Sequence, residues 1–238
     1  MTNVLSSCRR KRALVPICIL LCVLASGLWG IGGEEKVAGK FTLVYNINNA
    51  GYIDVCGCKH KEVRQGSLTR RASFLKQLKA TGRELLLLDG GSAFFPINKR
   101  LKASEIPEAY RKAELIAESY NRIGYSAMAI GPYDLITGIE NLKKLRKKAR
   151  FRMLSANFVG KDGKLVFEPH ALFEVAGVRV GVIGLTLDTI PEPVLEKRAP
   201  GCRILDPFAA AVKSYEALRP KTDIIIALSH LKEDSNFS

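Results

Sequence analysis

The segment Gly51–Lys61 reads GYIDVCGCKHK and places Cys56, Cys58 and His60 close together. Thiolates and an imidazole are good ligands for zinc or copper(I), and C-x-C-x-H spacing can set three donors around one ion. A closed structural zinc site needs a fourth donor, for which Cys202 is the cysteine left in the folded region. The same two cysteines equally suit a disulfide or an inert turn, and the local sequence keeps all three readings open. A C-x-x-C-H haem attachment motif and a thioredoxin-type C-x-x-C are both absent.

Other groups able to do chemistry end apolar runs. Asp89 closes LLLLD, where a carboxylate serves either as an acid or as an acceptor for turn amides. Asp134 lies in GPYDL, and His230 ends DIIIALSH. A lone histidine at a buried strand end is more often a hydrogen-bonded core residue than a ligand. His170, beside Pro169, reads as part of a turn with no assigned role.

These residues need a frame. Phe41–Ile47, Glu84–Gly91, Tyr125–Gly131, Phe151–Ser155 and Asp223–His230 read as buried strands. EVAGVRVGVIGL reads as a hairpin turning at Gly177, with strands Ala171–Val175 and Arg179–Leu185. Helices are predicted over Gly66–Lys79, Pro107–Ile123, Gly138–Arg150 and Pro207–Leu218. In the first, Leu68, Ala72, Leu75 and Leu78 share one face. Arg70–Ser73, RRAS, reads as helix surface. The Gly138–Arg150 helix puts Ile139, Leu142, Leu145 and Ala149 inward. Its opposite face carries Lys143, Lys144, Arg146, Lys147 and Lys148, either a solvated face or one that docks on anionic lipid. Strands alternating with amphipathic helices indicate an α/β layered fold, in which ligands collect at the carboxyl ends of strands.

The chain has 238 residues, is 47% hydrophobic and carries a formal net charge of +14. It is therefore not a disordered sequence. The charge favours acidic surfaces, phosphate-bearing ligands or anionic lipid as neighbours, but no nucleic-acid motif accompanies it. Arg9, Arg10, Lys11 and Arg12 precede the uncharged run Ala13–Gly33. A basic segment before an apolar one is an export signal or a signal-anchor. Ala25-Ser26-Gly27 offers a cleavage site, while the run is long enough to span a bilayer. Residues 1–33 are thus read as signal peptide or signal-anchor, 34–40 as a linker and 41–238 as the folded domain. The location is the periplasm or cell envelope, with an inner-membrane anchor at residues 13–33 as one form. Oligomeric state is not legible.

Six segments occur in order: GSLTRRASFLKQL, LLLLDGGS, YNRIGYSAMAIGPYDL, LSANFV, VGVIGLT and IIALSHLKEDSN. Together they resemble the metallophosphoesterase (calcineurin-like) superfamily, specifically the N-terminal domain of the periplasmic 5′-nucleotidase and UDP-sugar hydrolase family, from about Phe41 to Asn236. The resemblance implies a layered sandwich of two mixed β-sheets flanked by helices, here C-terminally incomplete. It also implies hydrolysis of nucleotides or other phosphoesters by two zinc or manganese ions that activate water.

The resemblance further implies ligand positions, and this chain departs from most of them. The family's Asp-x-His falls on Asn48-Asn49-Ala50, its bridging Asp on Ser92, and its Asn-His-Glu on Pro132-Tyr133-Asp134. His230 remains, and Asp89 is a residual acid nearby. The expectation is a family member with impaired or lost catalysis. The alternative is a non-catalytic metal-binding or redox module built on Cys56, Cys58 and His60.

Overall fold

In the computed structural model, which describes residues 39–54, 66–97, 100–188 and 190–230, the apolar runs become strands. β1 (Phe41–Asn46), β2 (Glu84–Asp89), β3 (Ala127–Ala129) and β4 (Arg152–Leu154) form one sheet in the order β1-β2-β3-β4, parallel throughout. β2 explains its own composition. Leu86 and Leu88 face one layer of core and Leu87 the other, so successive leucines are all buried.

Helices α1 (Leu68–Ala80), α2 (Ile106–Ile123) and α3 (Ile139–Lys148) cover one face of this sheet. Their apolar residues recur at helical spacing, as in Ala113, Ile116, Ala117, Tyr120 and Ile123 of α2. α1 starts at Ser67, whose Oγ accepts from the Arg70 amide at 3.2 Å. α2 carries a proline in its first turn and ends at Gly124, whose φ of 93° is the left-handed conformation a helix C-terminus favours.

The other face packs on a second sheet of order β6-β7-β9: β6 (His170–Val175), β7 (Val178–Leu185) and β9 (Ile224–Ser229). β6 and β7 are antiparallel, and β7 and β9 are parallel. The hairpin turns through Ala176 and Gly177, both at positive φ, as a two-residue connection requires. Between the sheets lie Leu86, Leu88, Ala127, Leu154, Val180 and Val182. α5 (Pro207–Leu218) closes the outside of the second sheet through Leu218, Ala210 and Ala211. Helices, sheet, sheet and helix are therefore stacked in layers, the α/β sandwich expected.

Three short elements were not legible: α4 (Glu192–Arg198) and the two-residue strands β5 (Phe158–Val159) and β8 (Arg203–Ile204), which pair antiparallel. Two residues carry no period to read. His170 opens β6 instead of lying in a turn. Residues 1–38, and with them the segment read as signal peptide or signal-anchor, lie outside the described residues. Among those described, no helix is long and apolar enough to cross a membrane.

Candidate functional site

The carboxyl ends of β1, β2, β3 and β9 meet in a lattice of short hydrogen bonds. Beyond β1 the backbone keeps pairing with the loop after β2. Asn48, Ala50 and Gly51 donate to the carbonyls of Gly91, Ser92 and Ala93 at 2.9, 3.0 and 2.9 Å. Asn48, Ala50 and Ser92 adopt φ of 57°, 54° and 55°, uncommon for residues with a Cβ. Such outliers cluster at functional sites. The β3 end approaches so closely that a Cβ on Gly131 would lie 2.3 Å from Ser92 Oγ.

Asp134 is fully buried in the turn Pro132–Leu135 after β3. Its Oδ2 accepts from the amides of Ser92 (2.8 Å) and Gly131 (2.9 Å), and its Oδ1 from that of Phe94 (3.1 Å). It ties the β2 loop to the β3 loop. Burial pushes its pKa up to about 7, against the pull of those three donors. Ser92 Oγ lies 3.3 Å from His230 Nε2, and the Tyr133 amide donates to the same oxygen at 3.4 Å. His230 Nδ1 is 3.1 Å from the Gly90 carbonyl, which can only accept. Nδ1 therefore carries the proton, and Nε2 accepts from the Ser92 hydroxyl. Burial lowers the His230 pKa, so the ring is neutral at pH 7.

Asp89 lies one step away, at 0% exposure. Its Oδ1 accepts from the Gly91 amide at 2.7 Å. Its Oδ2 accepts from Tyr120 Oη at 2.6 Å and Asn46 Nδ2 at 2.5 Å. Burial raises its pKa to about 6, opposed by these donors. Tyr120 stacks on Tyr125 with ring centroids 4.0 Å apart, and Tyr125 Oη donates to Asn46 Oδ1. Arg71 completes the network: Nη1 reaches Tyr120 and Tyr125 Oη at 3.2 and 3.1 Å, and Nη2 reaches Asn49 Oδ1 at 2.9 Å.

Arg71 therefore corrects the reading of RRAS as helix surface. Arg70 is exposed, while Arg71 is half-buried and points inward. Its signal was its place one residue before Ala72, at the edge of the α1 apolar face. Tyr120 sits on the buried face of α2 and gave no sign beyond its helical position.

Of the sequence-derived site residues, the structure thus joins Asn48, Ser92, Tyr133, Asp134 and His230 in one lattice, with Asp89 in the adjoining one. Cys56, Cys58 and His60 lie outside the described residues. Cys202 is a free thiol packed against the helix-side core, and burial raises its pKa. Among the described residues no group of three or more His, Cys, Asp or Glu could hold a metal ion. A cavity of about 710 Å³ opens beside Asn48, Ala50 and Gly51, walled by Tyr52, Phe94 and Leu101.

The layered fold and a strand-end site tied together by hydrogen bonds define a class that comparison with known proteins makes specific. Protein UshA of Yersinia enterocolitica is 36% identical over 209 residues, covering 85% of this chain and 36% of that protein. The crystal structure of a 5′-nucleotidase precursor from Thermus thermophilus matches with a TM-score of 0.68 and 28% identity, covering 82% of this chain and 38% of that one. The calcineurin-like phosphoesterase YfkN of Bacillus subtilis shares the fold, with a TM-score of 0.64 at 19% identity, over 80% of this chain and 61% of that one. No family model matches the chain. The chain belongs to the metallophosphoesterase superfamily and corresponds to the N-terminal domain of its 5′-nucleotidase branch. It spans about a third of the length of the curated relatives it matches.

Proposed function

We propose that this chain is an exported, 5′-nucleotidase-like phosphoesterase-family protein that keeps the strand-end site but has lost two-metal hydrolysis. The observation that carries this reading is the state of the donors. Asn48, Ala50 and Ser92, which the resemblance aligns with the family's metal ligands, hold left-handed backbone, yet their side chains supply an amide, a methyl group and a hydroxyl. Both carboxylates nearby, Asp89 and Asp134, already accept from three donors each.

Two divalent cations about 4 Å apart repel by roughly 16 kcal/mol at an effective dielectric constant of about 20. Anionic ligands between them must offset that repulsion. Ser92 at the bridging position is neutral, and Ala50 has no donor atom. The residues present do not fit a dinuclear centre, so no hydrolytic step is derived through one. What they do instead is lock four strand ends together. Ser92 and His230 remain as a polar pair, the Ser92 hydroxyl donating to His230 Nε2.

The nucleotide or phosphoester as ligand comes from the relatives. Export rests on the basic and then apolar N-terminus and on the precursor form of the Thermus relative. The test is metal analysis of the purified chain with phosphatase assays in manganese and in zinc. The expected result is no metal-dependent turnover and at most one ion, lost in a Cys56→Ser, Cys58→Ser variant. Two ions with metal-dependent hydrolysis of a nucleotide would overturn the reading.

A further inference from the structure

We propose that the open side formed by the β9 edge, the β1 face beside it and one flank of α5 is an interface between two copies of this chain, with β9 paired antiparallel to its counterpart. This inference does not rest on the reading of the strand-end site.

Three open features meet at this side. β9 ends the second sheet, and among the described residues no strand pairs with its outer edge. Natural edge strands are usually blunted by charged side chains or proline. The stretch Ile224–Leu228 reads IIIAL and has neither, whereas β6 at the opposite edge exposes Glu174.

Leu43 and Tyr45 pair in register with Leu86 and Leu88, so they share the face that packs on the second sheet. They are nevertheless exposed, because that sheet stops at β9. His230, next after β9, holds the Gly90 carbonyl at 3.1 Å, and a Cβ on Gly90 would touch Ile47 just beyond β1 at 3.0 Å. The end of β9 therefore lies over the end of β2, and a strand added outside it would cover β1. On α5, Phe208, Val212 and Tyr215 form an exposed apolar stripe at helical spacing. Ala209, Lys213 and Ala217 occupy the flank that looks toward His170 of β6. The stripe is on the other flank, toward β9.

A second copy fits all three features at once, because the surface is complementary to itself. Ile226 and Leu228 of β9 face the first sheet, and Ile225 faces α5. Antiparallel pairing about a two-fold axis, the commonest oligomer symmetry, can keep both faces in place. The apolar inner face of the second copy's β9 then covers Leu43 and Tyr45, and the two α5 stripes meet across the axis. Leu43, Tyr45, Ile224, Phe208, Val212 and Tyr215 are between 39% and 73% exposed. Together they offer roughly 650 Å², most of the ~800 Å² that each partner gives to a stable interface, before the β9 backbone is added. None of the six is charged, and physiological salt screens the like net charge of the two copies within about 8 Å.

The experiment is sedimentation velocity of the full chain, with a dimer expected at about 10 µM. Val212→Asp and Tyr45→Asp are exposed changes on separate elements, with folding checked by circular dichroism. Each places an unpaired carboxylate in the contact and is expected to weaken the dimer about tenfold or more. Leu172→Asp changes an exposed leucine of β6, at the far edge, and is expected to leave the dimer unchanged. A chain still monomeric at about 50 µM overturns the proposal. So does a dimer that Val212→Asp or Tyr45→Asp leaves intact, which would place the contact elsewhere, or one that Leu172→Asp dissociates as well. A monomer whose binding to phosphatidylcholine vesicles is lost in Tyr45→Asp also overturns it, since a lipid surface would then own the patch.

Discussion

Ala50 holds φ at 54° with its methyl group buried beside the strand-end cavity, a conformation that costs a residue with a Cβ about 1–2 kcal/mol. Ala50→Gly removes that cost and returns part of it as unfolded-chain entropy. The expected outcome is a gain of about 0.5–1 kcal/mol in denaturant unfolding. Asp89 gives a pH signature at the same scale. Burial raises its pKa from 3.8 to about 6, so between these values the folded state binds more protons than the unfolded one. The stability that this group contributes is full below about pH 4 and is lost as pH rises through 6. Across that range the loss amounts to roughly 3 kcal/mol. Asp89→Asn is expected to remove that slope. Because acid also adds to a net charge of +14, the readout is the difference between parent and variant across pH 4–7.

The α1 helix shows how an element delivers a side chain that its sequence hides. Its apolar stripe was legible from period alone, yet Arg71 at the border of that stripe reaches Tyr120 of α2, Tyr125 before β3 and Asn49 after β1. Arg71→Met keeps the stem and removes three hydrogen bonds, leaving Asn49 and two phenols with fewer partners. A loss of about 2–3 kcal/mol is expected by chemical denaturation, unchanged by chelator or added zinc. In α3 the inward stripe is as expected, and Leu142→Ala is expected to cost about 2–5 kcal/mol. Its basic face is partly engaged. Lys143 pairs with Glu140, Lys148 with Glu114, and Arg146 Nη1 donates to the Val166 carbonyl at 2.6 Å. β5 and β8 were invisible because two residues show no period and their pairing is non-local, and the seven residues of α4 are too few for an apolar stripe to stand out.

At the scale of the whole molecule, two core layers share one sheet, and each layer reads differently in sequence. Residues 85–88 are apolar on both sides because helices pack on one face and a second sheet on the other. That double burial made the strands, the long helices and the layered class legible from composition and period, and the ordered family segments added the branch. The sequence by itself therefore determined the sandwich and which residue types stand at the strand ends. Only the tertiary structure decided what those residues do. Asp89 meets Asn46 and Tyr120 across 43 and 31 positions, Asp134 meets Ser92 across 42, and His230 meets Ser92 across 138. A carboxylate is an acid, a metal ligand or a structural acceptor according to the donors brought around it. Chain spacing carries no information about partners that distant, and the folding of the two sheets supplies them.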